Sequence, residues 1–246
     1  MKVLAIIPAR YQSSRFLGKP LADIAGKSMI QRVYEQAQKA STVDQVIVAT
    51  DDERIFSHVQ QMNGAVMMTS PKHRSGTDRC AEVARQYLDY EYIVNIQGDE
   101  PFIQPTQIDT VVATLKDTDA TISTLGKKIE DTPTLFNPNV VKVVRNTAAK
   151  ALYFSRSPIP FLRGVAQADW VNQHEYLKHI GLYAFQRKTL LRITQLPMSQ
   201  LETAESLEQL RWLEAGYEIA VTLTDQESFG IDTPEDLEAL LKRMKA

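Results

Sequence analysis

Val3-Leu4-Ala5-Ile6-Ile7 is a continuous apolar run with β-branched members, and Pro8-Ala9-Arg10 follows at once. A run of this length bounded by proline reads as a strand buried on both faces, the kind found inside a parallel sheet. The residues around it extend the pattern. Met29 to Lys39 places Ile30, Val33, Tyr34 and Ala37 on one helical face. Gln45-Val46-Ile47-Val48-Ala49 is a second buried strand. Asp51, Asp52 and Glu53 suit the start of the next helix, where the backbone dipole favours negative charge. Asn63-Gly64 stops that helix. A short strand over 65–68, a helix over 78–87 and a buried strand from Tyr92 to Ile96 complete a β-α-β-α-β series. This alternation predicts an α/β fold: a mixed, mostly parallel sheet flanked by helices.

The second half is richer in strands. Ala120 to Leu125, Val140 to Val144, Leu182 to Phe185 and Ile219 to Thr224 are strand candidates, while Pro133, Pro138, Pro158 and Pro160 mark turns and edges. Glu202 to Leu213 and Pro234 to Met244 read as amphipathic helices. With no repeat or clear linker, the expected organisation is a single domain over 1–246 containing a β-rich subregion.

Composition narrows the function. A formal net charge of −2 supplies no field to gather nucleic acid or anionic lipid, so an anionic substrate must be held by a few placed cations. Cys80 stands alone and cannot form an intrachain disulfide; Val3 to Ile7 is too short for a signal segment; no stretch approaches the ~18 apolar residues of a membrane span. The expectation is a cytoplasmic protein without membrane insertion.

Sites in parallel sheets collect at the carboxyl ends of strands. Three polar loops fall there, over 8–20, 70–79 and 97–101. The first carries Arg10, Arg15 and Lys19, which can neutralise phosphates, or can be ordinary surface charges. It is no P-loop, because Leu21 stands where Gly26-Lys27-Ser28 would need its glycine, and no dinucleotide-binding glycine pattern is present. In Gln97-Gly98-Asp99-Glu100-Pro101, Asp99 suits a hard divalent cation or a simple turn. Asp232-Thr233-Pro234 opens the last helix, so Asp232 or Thr233 can be a helix cap; Asp232 gains interest only if folding brings it near Asp99. His73 to Arg79 offers an anion site at a helix start, or a Thr77 cap with incidental charges.

Taken together, these loops resemble the CMP-KDO synthetases (3-deoxy-manno-octulosonate cytidylyltransferases) through nearly the whole chain. The resemblance runs through Ile6 to Arg10, Ser14-Arg15, Gly18-Lys19-Pro20-Leu21, Val48 to Asp51, and His73 with Ser75 to Arg79. It continues through Val94 to Pro101, Phe136 to Val144, Ala151 to Arg156, His179 to Tyr183, Leu207 to Arg211 and Ile231 to Glu238. The family implies a nucleotide-diphospho-sugar transferase fold, with a β-rich subregion at roughly 120–185 placed at or near a homodimer interface. It also implies transfer of CMP from CTP to the anomeric hydroxyl of KDO for lipopolysaccharide biosynthesis, with Mg2+ as cofactor.

By resemblance, Lys19, Arg10, Asp99 and Asp232 are the candidate catalytic residues, the two aspartates being the metal ligands. Pro8, Ala9, Arg10, Lys19, Ser75, Gly76 and Arg79 would hold CTP, and Gln97, Arg156, His179, Tyr183, Glu208 and Gln209 the sugar. Two departures from the family pattern are Phe16-Leu17 in place of Leu-Pro, and Arg74 where glutamine is common. Activation of an 8-amino analogue or another acid sugar, a non-catalytic sensor on the same fold, and a glycosyltransferase are the alternatives. The last would usually carry an Asp-x-Asp motif, where this chain has Gly98-Asp99-Glu100.

Overall fold

Strand β1 (Lys2–Ala9) alternates its side chains between two cores: Val3, Ala5, Ile7 and Ala9 enter one, Leu4 and Ile6 the other. Burial on both faces explains why the run is apolar without a break. A computed structural model of the chain describes residues 1–12, 15–227 and 230–245, with side chains as far as residue 242. Ser14, part of the resemblance, lies outside the described residues.

After β1 come a small hairpin, β2 (Asp23–Ile24) and β3 (Lys27–Ser28), then α1 (Met29–Ala37), β4 (Gln45–Thr50), α2 (Glu53–Gln61), β5 (Val66–Met68), α3 (Gly76–Gln86), β6 (Tyr90–Asn95) and α4 (Pro105–Asp117). The second half comprises β7 (Ile122–Lys128), α5 (Thr132–Phe136), β8 (Lys142–Arg145), β9 (Ala151–Ser155), α6 (Trp170–Gln173), β10 (Leu177–Gln186), α7 (Arg187–Ile193), α8 (Gln200–Glu205), α9 (Gln209–Glu214), β11 (Ala220–Leu223) and α10 (Pro234–Lys245).

The main sheet runs β11-β7-β10-β6-β1-β4-β5, with β8 on β10 and β9 on β8. β1 pairs in parallel with both β4 and β6, and β10 is antiparallel to both β6 and β7. Helices α1, α2 and α4 cover one face; α3, α7 and α9 cover the other. From β1 the chain winds outward to β4 and β5 and then returns across to β6. The strand order therefore reverses between β1 and β6, and a crevice opens at their carboxyl ends.

Several elements differ from the sequence reading: the β2–β3 hairpin, α4 to α7 and β9 are additional, and β10 begins at Leu177 where the strand is expected from Leu182. The helix expected over 202–213 is two short helices, because Ser206 adopts a left-handed conformation (φ 52°) and stops α8. Leu207 and Leu210 are still buried, so the apolar spacing survives the break and hides it. Helix α4 escapes a periodicity search because Ile108, Val111, Val112 and Leu115 are mixed with threonines that bond back to their own helix. Pro105 at its first position and the Gln107 side chain accepting from the Gln104 N–H mark its start.

The ends of β1 and β6 approach so closely that a Cβ on Gly98 would lie 2.9 Å from the Pro8 carbonyl oxygen. At Gly181, a Cβ would meet only the Gln97 Cγ, at 3.9 Å. Gly98→Ala is therefore predicted to destabilise the fold by about 1–3 kcal/mol, and Gly181→Ala to stay within about 1 kcal/mol of the parent. Chemical denaturation of both variants checks the contrast.

Candidate active site

Lys19 owes its position to a rigid turn. Gly18 holds φ 71°, its N–H donates to the Tyr11 carbonyl at 2.9 Å, and the 3-10 turn Lys19–Leu21 follows. A side chain at Gly18 would be strained by that φ and would press the Tyr11 ring, 3.1 Å away. The Arg54 guanidinium stacks on the other part of this loop, 3.3 Å from the Tyr11 ring centroid.

From this turn the Lys19 ammonium reaches two carboxylates remote in sequence. Nζ lies 2.7 Å from Asp99 Oδ2 and 3.3 Å from Asp232 Oδ1. Arg15 meets the same Asp232 oxygen at 2.9 Å from the solvent side. The Ile231 N–H donates to the Asp99 carbonyl at 2.9 Å, which stitches the two acidic segments together. Asp232 is not spent as the helix cap: the Thr233 hydroxyl accepts from the Asp236 N–H at 3.2 Å, and Asp236 accepts in return from Asp232 and Thr233. The condition for interest in Asp232 is met, and Asp99 has a charged partner beyond any turn role.

Two cavities flank this cluster. One, of about 340 Å³, is lined by Pro8, Ala9, Arg10, Lys19, Gln97 and Asp99 among others. The Arg10 guanidinium donates to the His73 carbonyl at 2.8 Å and so ties the first loop to the second. Ser75 caps α3 in a capping box with Asp78, so the cap is Ser75 and not Thr77. Gly76 lies against Pro8, where a Cβ would come within 3.1 Å of the ring. The other cavity, of about 700 Å³, is lined by Lys127, Lys178, His179, Gly181 and Asp232 among others. Gln97 stands between the two, its amide donating to the Gly181 carbonyl at 3.4 Å.

Two partly exposed carboxylates next to a cavity fitted with cations form a donor set for a hard divalent ion that draws its remaining ligands from phosphate and water. Among the described residues there is no group of three or more His, Cys, Asp or Glu side chains placed to cage a metal alone. A site completed by its substrate needs none. The Lys19 ammonium already marks a position where a single cation touches both aspartates.

His179 and Tyr183 face the same side, as their spacing on β10 requires, with ring centroids 5.2 Å apart. Burial pushes the His179 pKa down to about 3, so the imidazole is neutral at pH 7; its Nε2 pairs with the Thr124 hydroxyl at 2.9 Å. Tyr183 is buried against Trp212, and burial raises its phenol pKa. Its hydroxyl has no hydrogen-bond partner among the described residues, and neither does the side-chain oxygen of Asn95, its neighbour on β6.

Other sequence-derived residues sit differently from expectation. Arg79 is fully buried, its guanidinium bound by Asp51 at 2.8 Å and by the Thr69 hydroxyl, so its side chain braces α3 from beneath and turns no donor toward the cavity. Glu208 precedes α9 and accepts from Ser75 Oγ at 3.0 Å and Thr77 Oγ1 at 2.7 Å. Burial raises its pKa, and the two hydroxyls act against that shift. Glu208 thus fastens the Ser75 loop to the start of α9, while Gln209 is buried in the first turn.

Arg156 donates to the carbonyls of Glu205 at 2.7 Å, Pro138 at 3.1 Å and Ser206 at 3.5 Å. The buried Lys142 beneath it donates to the carbonyls of Asn137, Val140 and Arg156. Sequence reasoning missed Lys127 and Lys178, which converge on the larger cavity, because lysines on strands carry no motif. Cys80 is buried within α3, and burial pushes its thiol pKa up, which leaves it inert at neutral pH.

A family model described as cytidylyltransferase matches residues 4–219. The 3-deoxy-manno-octulosonate cytidylyltransferase of Parabacteroides distasonis is 55% identical over 246 residues, covering 98% of this chain and 97% of that protein. The protein of the same name from Geotalea uraniireducens is 51% identical and covers 100% of each. Among solved structures, a CMP:2-keto-3-deoxy-manno-octonic acid synthetase complexed with CTP superposes with a TM-score of 0.92 at 44% identity, over 100% of this chain and 99% of that one. A cytidylyltransferase from Leptospira borgpetersenii, 17% identical with a TM-score of 0.63 over 100% of this chain and 87% of its own, shares the fold. The chain belongs to the cytidylyltransferases, and within them to the 3-deoxy-manno-octulosonate cytidylyltransferase family.

Proposed function

We propose that the chain transfers CMP from CTP to the anomeric hydroxyl of KDO, releasing pyrophosphate, with Mg2+ as cofactor. The observation that carries this reading is the Asp99–Lys19–Asp232 cluster at the junction of a cation-lined cavity and a larger polar one. Two anions must meet in the reaction, so alignment and charge neutralisation dominate its chemistry. Arg10 and Lys19 receive the triphosphate and stabilise charge that builds on the leaving pyrophosphate. A bond forms between the sugar hydroxyl oxygen and the α-phosphorus, the bond from that phosphorus to the bridging oxygen breaks, and the hydroxyl proton is released. Asp99 and Asp232 would hold the Mg2+, which supplies Lewis acidity toward the α-phosphate and the incoming hydroxyl.

Pro8 and Ala9 bring the β1 end against the nucleotide, and the loop of Ser75 and Gly76 closes beside it, with Arg79 bracing from below. Gln97 and His179 form the sugar wall, with His179 as a neutral hydrogen-bonding group and Tyr183 packed behind it. Arg156 and Gln209 shape the far side. Glu208 couples that side to the nucleotide loop through Ser75 and Thr77.

The cellular setting in this reading is cytoplasmic supply of a lipopolysaccharide precursor. Among the described residues no helix is long and apolar enough to cross a membrane. The reading includes a homodimer joined through the β-rich subregion at roughly 120–185. Its support is the edge strand β9, whose partner strand among the described residues is β8, and the exposed apolar side chains of Leu152 and Phe161.

Pyrophosphate release with CTP, KDO and Mg2+ tests the reaction. The expected result is release with CTP alone among the four ribonucleoside triphosphates, abolished by EDTA. Release with 8-amino-KDO in place of KDO moves the specificity to that sugar, and no release with either favours the sensor alternative. Asp232→Asn is predicted to cut turnover by a factor on the order of 10² or more. Its melting temperature should stay near the parent's, since the carboxylate is half exposed.

His179 predicts a pH effect on stability. Its folded pKa of about 3 lies below the ordinary histidine value of 6.5, so between these the unfolded chain binds a proton that the folded one does not. The contribution is complete above pH 6.5 and is lost as pH falls toward 3. Equilibrium unfolding of His179→Asn between pH 6 and 4 should show a shallower dependence than the parent, by up to about 1.4 kcal/mol per pH unit. Light scattering of Leu152→Asp, which charges the β9 edge, should report monomers where the parent gives dimers.

A further inference from the structure

The Lys19 ammonium occupies the position in which it does most to oppose a metal ion. Its Nζ lies 2.7 Å from Asp99 Oδ2 and 3.3 Å from Asp232 Oδ1, between the two carboxylates that would hold a divalent cation. Such an ion binds carboxylate oxygen at about 2.0–2.6 Å, so an ion bridging the pair would be crowded and repelled by an ammonium held between the same carboxylates, and the two compete for that position. Arg15 adds a second positive charge on Asp232, which leaves the pair neutralised without any metal.

Lys19 is also built to leave. Its backbone is fixed by the Gly18 turn and the buried Pro20, while its four-carbon stem can pivot. Its side chain lines the 340 Å³ cavity together with Arg10 and Asp99, so an anion entering that cavity competes directly with the carboxylate for the ammonium.

We propose that Lys19 and the divalent cation occupy the Asp99–Asp232 pair in turn, so that metal enters when a triphosphate draws the ammonium away. This rests on the reading of the two aspartates as the metal site. Lys19 is then a positioning residue for the metal as well as a phosphate ligand. Nucleotide and metal binding are coupled through one side chain, and by linkage each favours the other. The nucleotide-free protein holds its carboxylates preformed without the repulsion that two bare charges would suffer, and it takes up metal weakly.

The test is Mn2+ binding to nucleotide-free protein, read from the loss of the free-ion electron paramagnetic resonance signal. Lys19→Met and Lys19→Gln remove the charge and keep a comparable stem, and thermal melting verifies that each folds. Both should bind Mn2+ more tightly than the parent, by about tenfold, the scale of one charge-assisted contact removed. Affinity no greater than the parent's in the folded neutral variants overturns the proposal. Adding Asp99→Asn to Lys19→Met separates this from the underlying reading. Loss of the gained affinity supports both, whereas tight binding that survives the double substitution puts the ion elsewhere and overturns the assignment of the aspartates.

Discussion

Two carboxylates drawn to one ammonium set the geometry on which the site depends. Asp99 lies in the loop that follows β6, Asp232 precedes the last helix, and Lys19 rises from the loop after β1. Bare carboxylates this close would repel each other, and the repulsion would be stronger in a half-buried crevice than in water. The ammonium turns it into attraction, and the Ile231 to Asp99 backbone bond fixes the register. Chain segments more than two hundred residues apart thus meet at the point where the sheet's strand order reverses.

Around this cluster the buried polar groups serve as braces. Arg79 with Asp51, Glu208 with Ser75 and Thr77, and Lys142 with its three carbonyls each tie a loop to an element beneath it. A buried charge without partners is costly, so each of these side chains specifies the loop conformation that satisfies it. The cavities are consequently shaped by fastened loops. The groups that face them, Lys19, Arg10, Gln97 and the aspartates, keep capacity for a ligand.

The sequence made the first half of the fold readable because buried parallel strands leave unbroken apolar runs; β1, β4 and β6 all appear within two residues of their expected ends. It concealed α4, whose threonines blur its stripe, and the break at Ser206, where the apolar spacing continues through a change of direction. At the site, Asp99 and Lys19 were visible as loop residues at strand ends. Asp232 was singled out only through the family resemblance, since a helix-opening Asp-Thr-Pro has an ordinary capping explanation and only the tertiary contact separates the two. The burial of Arg79 and the diversion of Glu208 to the nucleotide loop were likewise illegible, because a motif fixes identity and spacing but not the direction in which a side chain points.

The most direct test of the central claim is a crystal grown with CTP and Mn2+, with the ion located by its anomalous scattering. The account predicts a Mn2+ peak bonded to both Asp99 and Asp232 at about 2.0–2.3 Å, with the Lys19 ammonium moved onto the triphosphate. A peak remote from that pair, or Lys19 still lodged between the carboxylates with CTP bound, would contradict it.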